Sequence, residues 1–120
     1  MAAKDDLGRA GEQRAAEHLA ANGYQVIDRN WRCAQGEVDI VATMPGMLVV
    51  VEVKTRRSVA FGHPLEAIDA RKATRLWRLA AAWIAAHPQE ARGRRLRLDA
   101  IAVIGSEPAT ADLEHLEDAL

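Results

Sequence analysis

The stretch "GEVDIVATMPGMLVVVEVKTR", residues 36–56, predicts a β-hairpin that carries charged side chains at its open end. Its first half alternates between polar and apolar residues, which is typical of a half-buried strand. Its second half is rich in β-branched residues, as a central strand covered on both faces is. Asp39, Glu52 and Lys54 interrupt these apolar runs. Because buried charge is costly unless it is paired, hydrogen-bonded or bound to a metal, these three side chains need a physical reason.

The turn of this hairpin places two of the charged residues side by side. Pro45 and Gly46 suit the central positions of a type II turn. Symmetric pairing about that turn puts Asp39 opposite Glu52 or close to it. Two adjacent carboxylates repel each other, and a divalent cation removes the repulsion. Since Mg²⁺ takes oxygen ligands and few protein carboxylates, we expect a metal held by Asp39, Glu52 and the backbone carbonyl of Val53.

Two further side chains are candidates for the same site. Lys54 shares a strand face with Glu52, because side chains alternate along a strand. There its ammonium group could hold or activate a water, or stabilise negative charge on a phosphate. Glu12 lies on or beside the apolar stripe of a predicted helix, from where it could approach the metal directly or through water. An ordinary glutamate at the border of an amphipathic helix is the alternative for Glu12.

The whole chain, residues 1–120, predicts one α/β domain. A helical connection leads to the last strand, and connections of that length usually deliver a parallel neighbour, so we expect a mixed central sheet. Residues 105–120 form an acidic tail. Its leucines recur at helical spacing, but the secondary structure of the tail stays ambiguous. The expected order αβββαβ comprises a helix, three strands, a helix that is broken near Asp69 and a last strand, at about residues 6–22, 24–32, 36–43, 47–55, 65–87 and 96–104.

Composition and charge set limits on function. The chain has 120 residues and a net charge of −1, but the tail holds five acids and no lysine or arginine. Residues 1–104 therefore carry about +4, which is compatible with a polyanionic partner. The single cysteine, Cys33, excludes an internal disulfide and a cysteine-based zinc site. No apolar run approaches the roughly 20 residues of a membrane span, so we expect no membrane partner and a cytoplasmic location.

The stretches "GEVDI", "VVVEVKTR" and "RLRLDAIAV", with "GEQRAAEHLAANGY" before them, resemble the YraN-like family of small bacterial proteins. That family is similar to the PD-(D/E)xK nuclease superfamily and to the Holliday junction resolvases within it. The resemblance covers nearly the whole chain. Its signature matches at Asp39, Glu52 and Lys54, its helical acid matches at Glu12, and Val38 stands where the superfamily name has proline. The resemblance implies a restriction-endonuclease-like αβββαβ core and a Mg²⁺- or Mn²⁺-dependent nuclease site.

The predicted function is a metal-dependent nuclease that cleaves DNA, with branched or damaged structures among its candidate substrates. The alternative is a nucleic-acid-binding or adaptor protein that keeps the nuclease fold and does not cleave. A third interpretation is a structural domain in which Glu52 and Lys54 form only a surface ion pair. The sequence leaves open whether the protein forms a homodimer or needs a protein partner.

Basic residues in two places are candidates for nucleic-acid binding. Arg56 and Arg57 directly follow the strand that carries Lys54. Arg71, Lys72 and Arg75 form part of a basic stripe on the second helix, where they could contact phosphates. A solvated helix face is the alternative for this stripe.

Four other residues have predicted roles. Glu37 shares a strand face with Asp39 and is either a further ligand or a solvent-exposed acid. Trp77 and Trp83 fit the buried side of the second helix better than base stacking. Asp99, in the last strand, is expected to pair with an arginine for structural reasons.

Overall fold

A five-stranded mixed sheet with a long helix on each face forms the framework of the computed structural model, which describes residues 2–60 and 62–119. The strands lie in sequence order; β1 to β3 are antiparallel, β4 is parallel to β3, and β5 is antiparallel to β4. The predicted αβββαβ order and mixed sheet are confirmed. The elements are α1 (Ala2–Ala21), β1 (Gln25–Cys33), β2 (Gly36–Met44), β3 (Met47–Arg56), a 3₁₀ turn (Pro64–Ala67), α2 (Ala70–Ala86), α3 (Pro88–Ala91), β4 (Arg95–Ile104), a second 3₁₀ turn (Pro108–Thr110) and β5 (Asp112–Leu116).

The β2–β3 hairpin has the predicted register. Ile40 pairs with Val51, so Asp39 and Glu52 come next in line at the open end. Gly46 has a φ of 75°, as the third position of a type II turn requires. The turn residues and the β-branched strand therefore determine which acids become neighbours.

The two long helices bury opposite faces of the sheet. On the α1 side Leu19 packs with Ile40, Val49 and Val51, and on the α2 side Leu79 and Trp83 pack with Val41, Val50 and Leu98. Full burial of one such side chain is worth about 1.5–3 kcal/mol. Because β3 is covered on both faces, its apolar residues run continuously instead of alternating. In the described part of the chain, no helix combines the length and the apolar character that a membrane crossing needs.

The second helix begins where the sequence predicts a break. The Asp69 carboxylate accepts a hydrogen bond from the backbone N–H of Lys72 at 3.0 Å and caps α2, while Pro64–Ala67 forms a separate 3₁₀ turn. The prediction that both tryptophans of this helix are buried is right for Trp83, which is 1% exposed, and wrong for Trp77, which is 44% exposed. Trp83 is held in place because its indole N–H donates to the Asp28 carboxylate at 2.8 Å.

A buried polar network attaches the end of the chain to the sheet. The Asp99 carboxylate accepts two hydrogen bonds from the Arg97 guanidinium at 2.8 Å and one from the backbone N–H of Asp118 at 3.0 Å. Nε2 of His115, on β5, lies 2.8 Å from the same carboxylate. The predicted pairing of Asp99 with an arginine is confirmed. Part of the acidic tail thus becomes β5 because it supplies partners to a carboxylate that is fully buried.

Gly11 allows α1 to lie directly on β3. A Cβ atom at this position would collide with the Thr55 hydroxyl and lie 2.8 Å from the Thr55 methyl carbon. Glu12 is the next residue along the helix. The close approach of the two backbones therefore brings Glu12 to the end of β3.

We expect Gly11→Ala to lower the free energy of unfolding by roughly 1–3 kcal/mol, because the new methyl group overpacks the contact with Thr55. Gly8→Ala is the matched control on the same helix, since a Cβ there meets nothing within 4 Å. That change should raise the free energy of unfolding by about 0.4–1 kcal/mol. Urea unfolding measures both, and adding Thr55→Ala to Gly11→Ala should recover part of the loss. Equal effects of the two glycine substitutions would contradict the close packing of α1 on β3.

Candidate functional site

The Asp39 carboxylate lies where the β2–β3 ladder ends. Its Oδ2 accepts a hydrogen bond from the backbone N–H of Val53 at 2.8 Å, so the side chain joins the two strands beyond their last paired residues. Val38 and Val41 both pack in the core under α2, although strict alternation would put residues three apart on opposite faces. The strand β2 therefore departs from a regular pleat between Val38 and Val41, the segment that carries Asp39.

Three carboxylates from two elements converge at this point. Glu12 comes from α1, and Glu37 and Asp39 come from β2; one oxygen of each lies within 4.8 Å of the others. A Mg²⁺ ion holds its ligand oxygens at about 2.0–2.1 Å, so opposite ligands lie about 4.2 Å apart. Small side-chain rotations would thus bring all three onto one ion. Glu37 lies inside the cluster with its side chain 33% exposed, and a role as a ligand stays a prediction.

Glu52 and Lys54 form an ion pair beside the three clustered acids. Their side chains share a face of β3 as predicted, and Lys54 Nζ lies 3.0 Å from Glu52 Oε2. The Glu52 side chain is only 14% exposed and the Lys54 side chain 20%. The pair is therefore mostly buried, unlike the exposed surface pair of the purely structural interpretation.

The electrostatics of the cluster disfavour its fully ionised form. Burial and the negative charge of Glu52 raise the pKa of Asp39 to about 8, although the Val53 N–H acts in the opposite direction. Burial and the charge of Glu37 also raise the pKa of Glu12. Without a cation, the cluster therefore keeps a proton at neutral pH, and a metal ion would have to displace it.

A cleft of about 280 Å³ adjoins the cluster at the turn between β1 and β2, lined by Arg32, Cys33, Gly36 and Glu37. Nε of Arg32 lies 2.9 Å from Oε2 of Glu37. From α2, Nη1 of Arg75 reaches the same turn, 3.9 Å from the position that a Cβ on Gly36 would take. Cationic groups thus border the acidic cluster on this side.

The remaining predicted nucleic-acid residues lie at the surface. Arg56 and Arg57 are exposed at and just after the end of β3, and Arg71 and Lys72 are exposed on the first turn of α2. Of the candidates on α2, Arg75 is the one that reaches the turn beside Glu37. The role of these residues in binding nucleic acid stays a prediction.

Arg32 is a cationic neighbour of the cluster that was not predicted as part of the site. Arg32 pairs directly with Glu37 across the β1–β2 turn. Symmetric pairing about "CAQG", residues 33–36, could have indicated this, as the β2–β3 turn does for Asp39 and Glu52. The approach of Arg75 from α2 has no comparable local signal.

Comparisons with known proteins give the family. A family model described as "Uncharacterised protein family UPF0102" matches residues 11–103. The UPF0102 protein of Paenarthrobacter aurescens (strain TC1) is 50% identical over 116 residues, which cover 97% of this chain and 94% of that protein. The chain belongs to the UPF0102 family.

Other relatives of this UPF0102 chain match it over nearly their full length. The UPF0102 protein of Arthrobacter sp. (strain FB24) is 49% identical and covers 97% of each chain. The protein of Frankia alni is 46% identical over 119 residues, which cover 99% of this chain and 98% of its own length. The predicted YraN-like family is confirmed. The range matched by the family model includes every acid of the cluster, Lys54 and α2.

We expect Asp39→Asn to stabilise the metal-free protein at pH 8. A raised carboxyl pKa means that the folded state binds the proton more tightly than the unfolded chain, so stability falls as pH rises from about 3.9 towards about 8. Asparagine removes the charge and keeps an oxygen for the Val53 N–H. Because one pKa unit corresponds to about 1.4 kcal/mol, the gain at pH 8 should exceed about 1 kcal/mol and shrink towards pH 5.

The measurement is urea unfolding in EDTA across this pH range. Asp112→Asn is the matched control, since Asp112 is exposed on β5. A difference between Asp39→Asn and wild type that does not grow with pH would show that the neighbouring acids do not destabilise ionised Asp39.

Proposed function

We propose that this UPF0102 chain is a Mg²⁺- or Mn²⁺-dependent nuclease that hydrolyses phosphodiester bonds in DNA. The observation that carries the proposal is the convergence of Glu12, Glu37 and Asp39 beside the buried Glu52–Lys54 pair. Such a cluster lowers stability when it has no cation, and strongly shifted pKa values of this kind concentrate at functional sites. A purely structural site would gain nothing from the repulsion.

The donor set fits a hard divalent cation. Asp39, Glu52 and the backbone carbonyl of Val53 would hold the ion, and Glu12 and Glu37 would bind it directly or through water. Carboxylate and carbonyl oxygens with water suit Mg²⁺ and Mn²⁺. When bound, such an ion supplies a Lewis acid for the phosphate and lowers the pKa of an attacking water.

Lys54 supplies a positive charge beside the reacting phosphate. Its ammonium group has three donors, and it is held 3.0 Å from Glu52 on a rigid strand. From there it can orient a water and stabilise the negative charge that develops on the phosphate oxygens. The partial burial of Lys54 strengthens these interactions because solvent screens them less.

The cationic border of the site supports DNA as the substrate. Arg32 and Arg75 adjoin the cleft, and Arg56 and Arg57 follow the strand that carries Lys54. Contacts of this kind bind phosphates and position the duplex without reading its sequence. A chain of this size has few elements left for a groove, so we propose selection by DNA structure, with branched or damaged DNA as candidates. A homodimer would suit a branched substrate with two-fold symmetry.

We expect metal-dependent cleavage of labelled DNA by the wild-type protein. The substrates are linear duplex, single-stranded, flap and four-way-junction DNA with Mg²⁺ or Mn²⁺. Asp39→Asn and Lys54→Ala should each lower the rate by roughly 10²-fold or more, since each removes a group that acts on the transition state. Asp112→Asn is the control and should cleave as the wild type does.

A second readout separates metal binding from chemistry. Mn²⁺ should raise the melting temperature of the wild type and of Lys54→Ala, but not that of Asp39→Asn. DNA binding without cleavage under all these conditions would contradict the nuclease proposal and favour the non-cleaving adaptor. Cleavage that survives in both variants would also contradict it.

A further inference from the structure

An exposed tryptophan stands on the outer face of α2. Trp77 is 44% exposed, whereas Trp83 of the same helix is 1% exposed. Side chains three or four positions away are the ones that could cover it on the helix surface. All of these are small: Ala73, Thr74, Ala80 and Ala81. No bulky neighbour on α2 therefore shields the two flat faces of the indole.

The charged side chains of this helix are all cationic. Arg71, Lys72, Arg75 and Arg78 are exposed, and the sequence of α2 contains no aspartate or glutamate. Among residues 2–60 and 62–119, the ion pairs involve none of these four. The acid just before the helix, Asp69, is engaged as its N-cap. The helix thus presents positive charge that has no counter-charge within the described residues.

The outer face of α2 leads to the candidate site. Arg75 reaches the turn at Gly36, next to Glu37 of the carboxylate cluster. Trp77 lies two residues after Arg75, which is about 200° further round the helix. The two side chains therefore lie on nearly opposite sides of α2, separated by roughly one helix diameter of 10–12 Å. Arg71 and Arg78 project between them. A nucleic-acid strand that crossed this face from Trp77 would pass Arg71 and Arg78, reach Arg75 and arrive at the cleft.

We propose that Trp77 stacks on an unpaired base of single-stranded DNA whose phosphates contact the α2 cations. An aromatic side chain within a cationic groove is the usual arrangement for single strands, because every base offers a flat face. In a duplex the bases already stack on each other, so a helix surface meets phosphates there and the indole has no free base. Trp and Arg are enriched in protein–protein interfaces as well, but four cations without counter-charge among the described residues complement a continuous chain of phosphates better than a mixed protein surface.

A single-stranded segment would therefore be part of the substrate of the proposed nuclease. The expected effect of Trp77 on cleavage rests on that proposed function, whereas its expected effect on binding does not. The cleaved DNA would carry a single-stranded segment next to the cleavage point, as a flap or a frayed junction does. Binding of the single strand itself needs neither metal nor catalysis, so the two proposals can fail separately.

Fluorescence and anisotropy titrations in EDTA test the binding. The probes are a thymidine oligonucleotide and a duplex of the same length. The oligonucleotide should quench part of the tryptophan fluorescence of the wild type, and Trp77→Leu should abolish that part. Trp77→Leu should weaken single-strand binding roughly 5- to 150-fold and leave duplex binding unchanged, while Trp77→Phe keeps most of the affinity.

Two control variants define the specificity of the effect. Leu116→Ala removes another exposed apolar side chain, on β5, and should change neither titration. Arg78→Gln should weaken single-strand and duplex binding alike. It should also reduce the slope of log affinity against log salt concentration by about 1, as the loss of one phosphate contact does. Circular dichroism and melting temperature check that each variant folds.

Single-strand binding that is unchanged in Trp77→Leu, or reduced equally for single strand and duplex, would overturn the inference. In cleavage assays Asp39→Asn should lose activity with single-strand binding intact, whereas Trp77→Leu should lose flap cleavage more than duplex cleavage. If the nuclease proposal failed, the binding titrations would therefore still test the stacking of Trp77.

Discussion

Repulsion among partly buried carboxylates at the end of β3 is the constraint on which the site depends. The fold forces these acids together in two ways. Gly11 lets α1 lie on β3 and delivers Glu12, while β2 carries Glu37 and Asp39 two residues apart. Only two groups offset the charge from within β3: the Val53 N–H, which binds Asp39, and the Lys54 ammonium, which pairs with Glu52. Burial removes the screening that water would give, so the pKa of Asp39 rises to about 8.

A second buried aspartate in the same sheet shows what a structural acid looks like. Asp99 lies on β4, directly beside β3, and is fully buried. Its oxygens accept hydrogen bonds from Arg97 and from the Asp118 backbone, and His115 adds a third partner. Asp39 has one backbone N–H and otherwise faces other acids. This contrast between a carboxylate with a full set of partners and one surrounded by like charge is the reason that we propose a functional role for Asp39 and a structural one for Asp99.

The parts of the fold that depend on local sequence could be predicted. The type II turn at Gly46 and the β-branched strand determine the hairpin register, and chain connectivity gives the parallel β4. The exposure of Trp77 could also have been predicted: Trp77 and Trp83 are six residues apart, about 120° round a helix by the shorter way, so a buried stripe of about 100° centred near Trp83 leaves Trp77 outside it. The approach of Arg75 to the turn at Gly36 depends on the packing of α2 against the sheet, and β5 depends on His115 meeting Asp99 on another strand. Such long-range contacts leave no periodic signal in the sequence.

The balance of charge at the site is the reason that we propose a divalent cation and not a monovalent one. Glu12, Glu37, Asp39 and Glu52 carry four negative charges when all are ionised, and Arg32 and Lys54 pair with two of them. Two negative charges remain, and a divalent ion would balance them. The ion pair seen here holds Lys54 beside Glu52. If Glu52 became a metal ligand, the Lys54 ammonium group would be released to face a phosphate, so the same strand would position both the metal and the cation that acts with it.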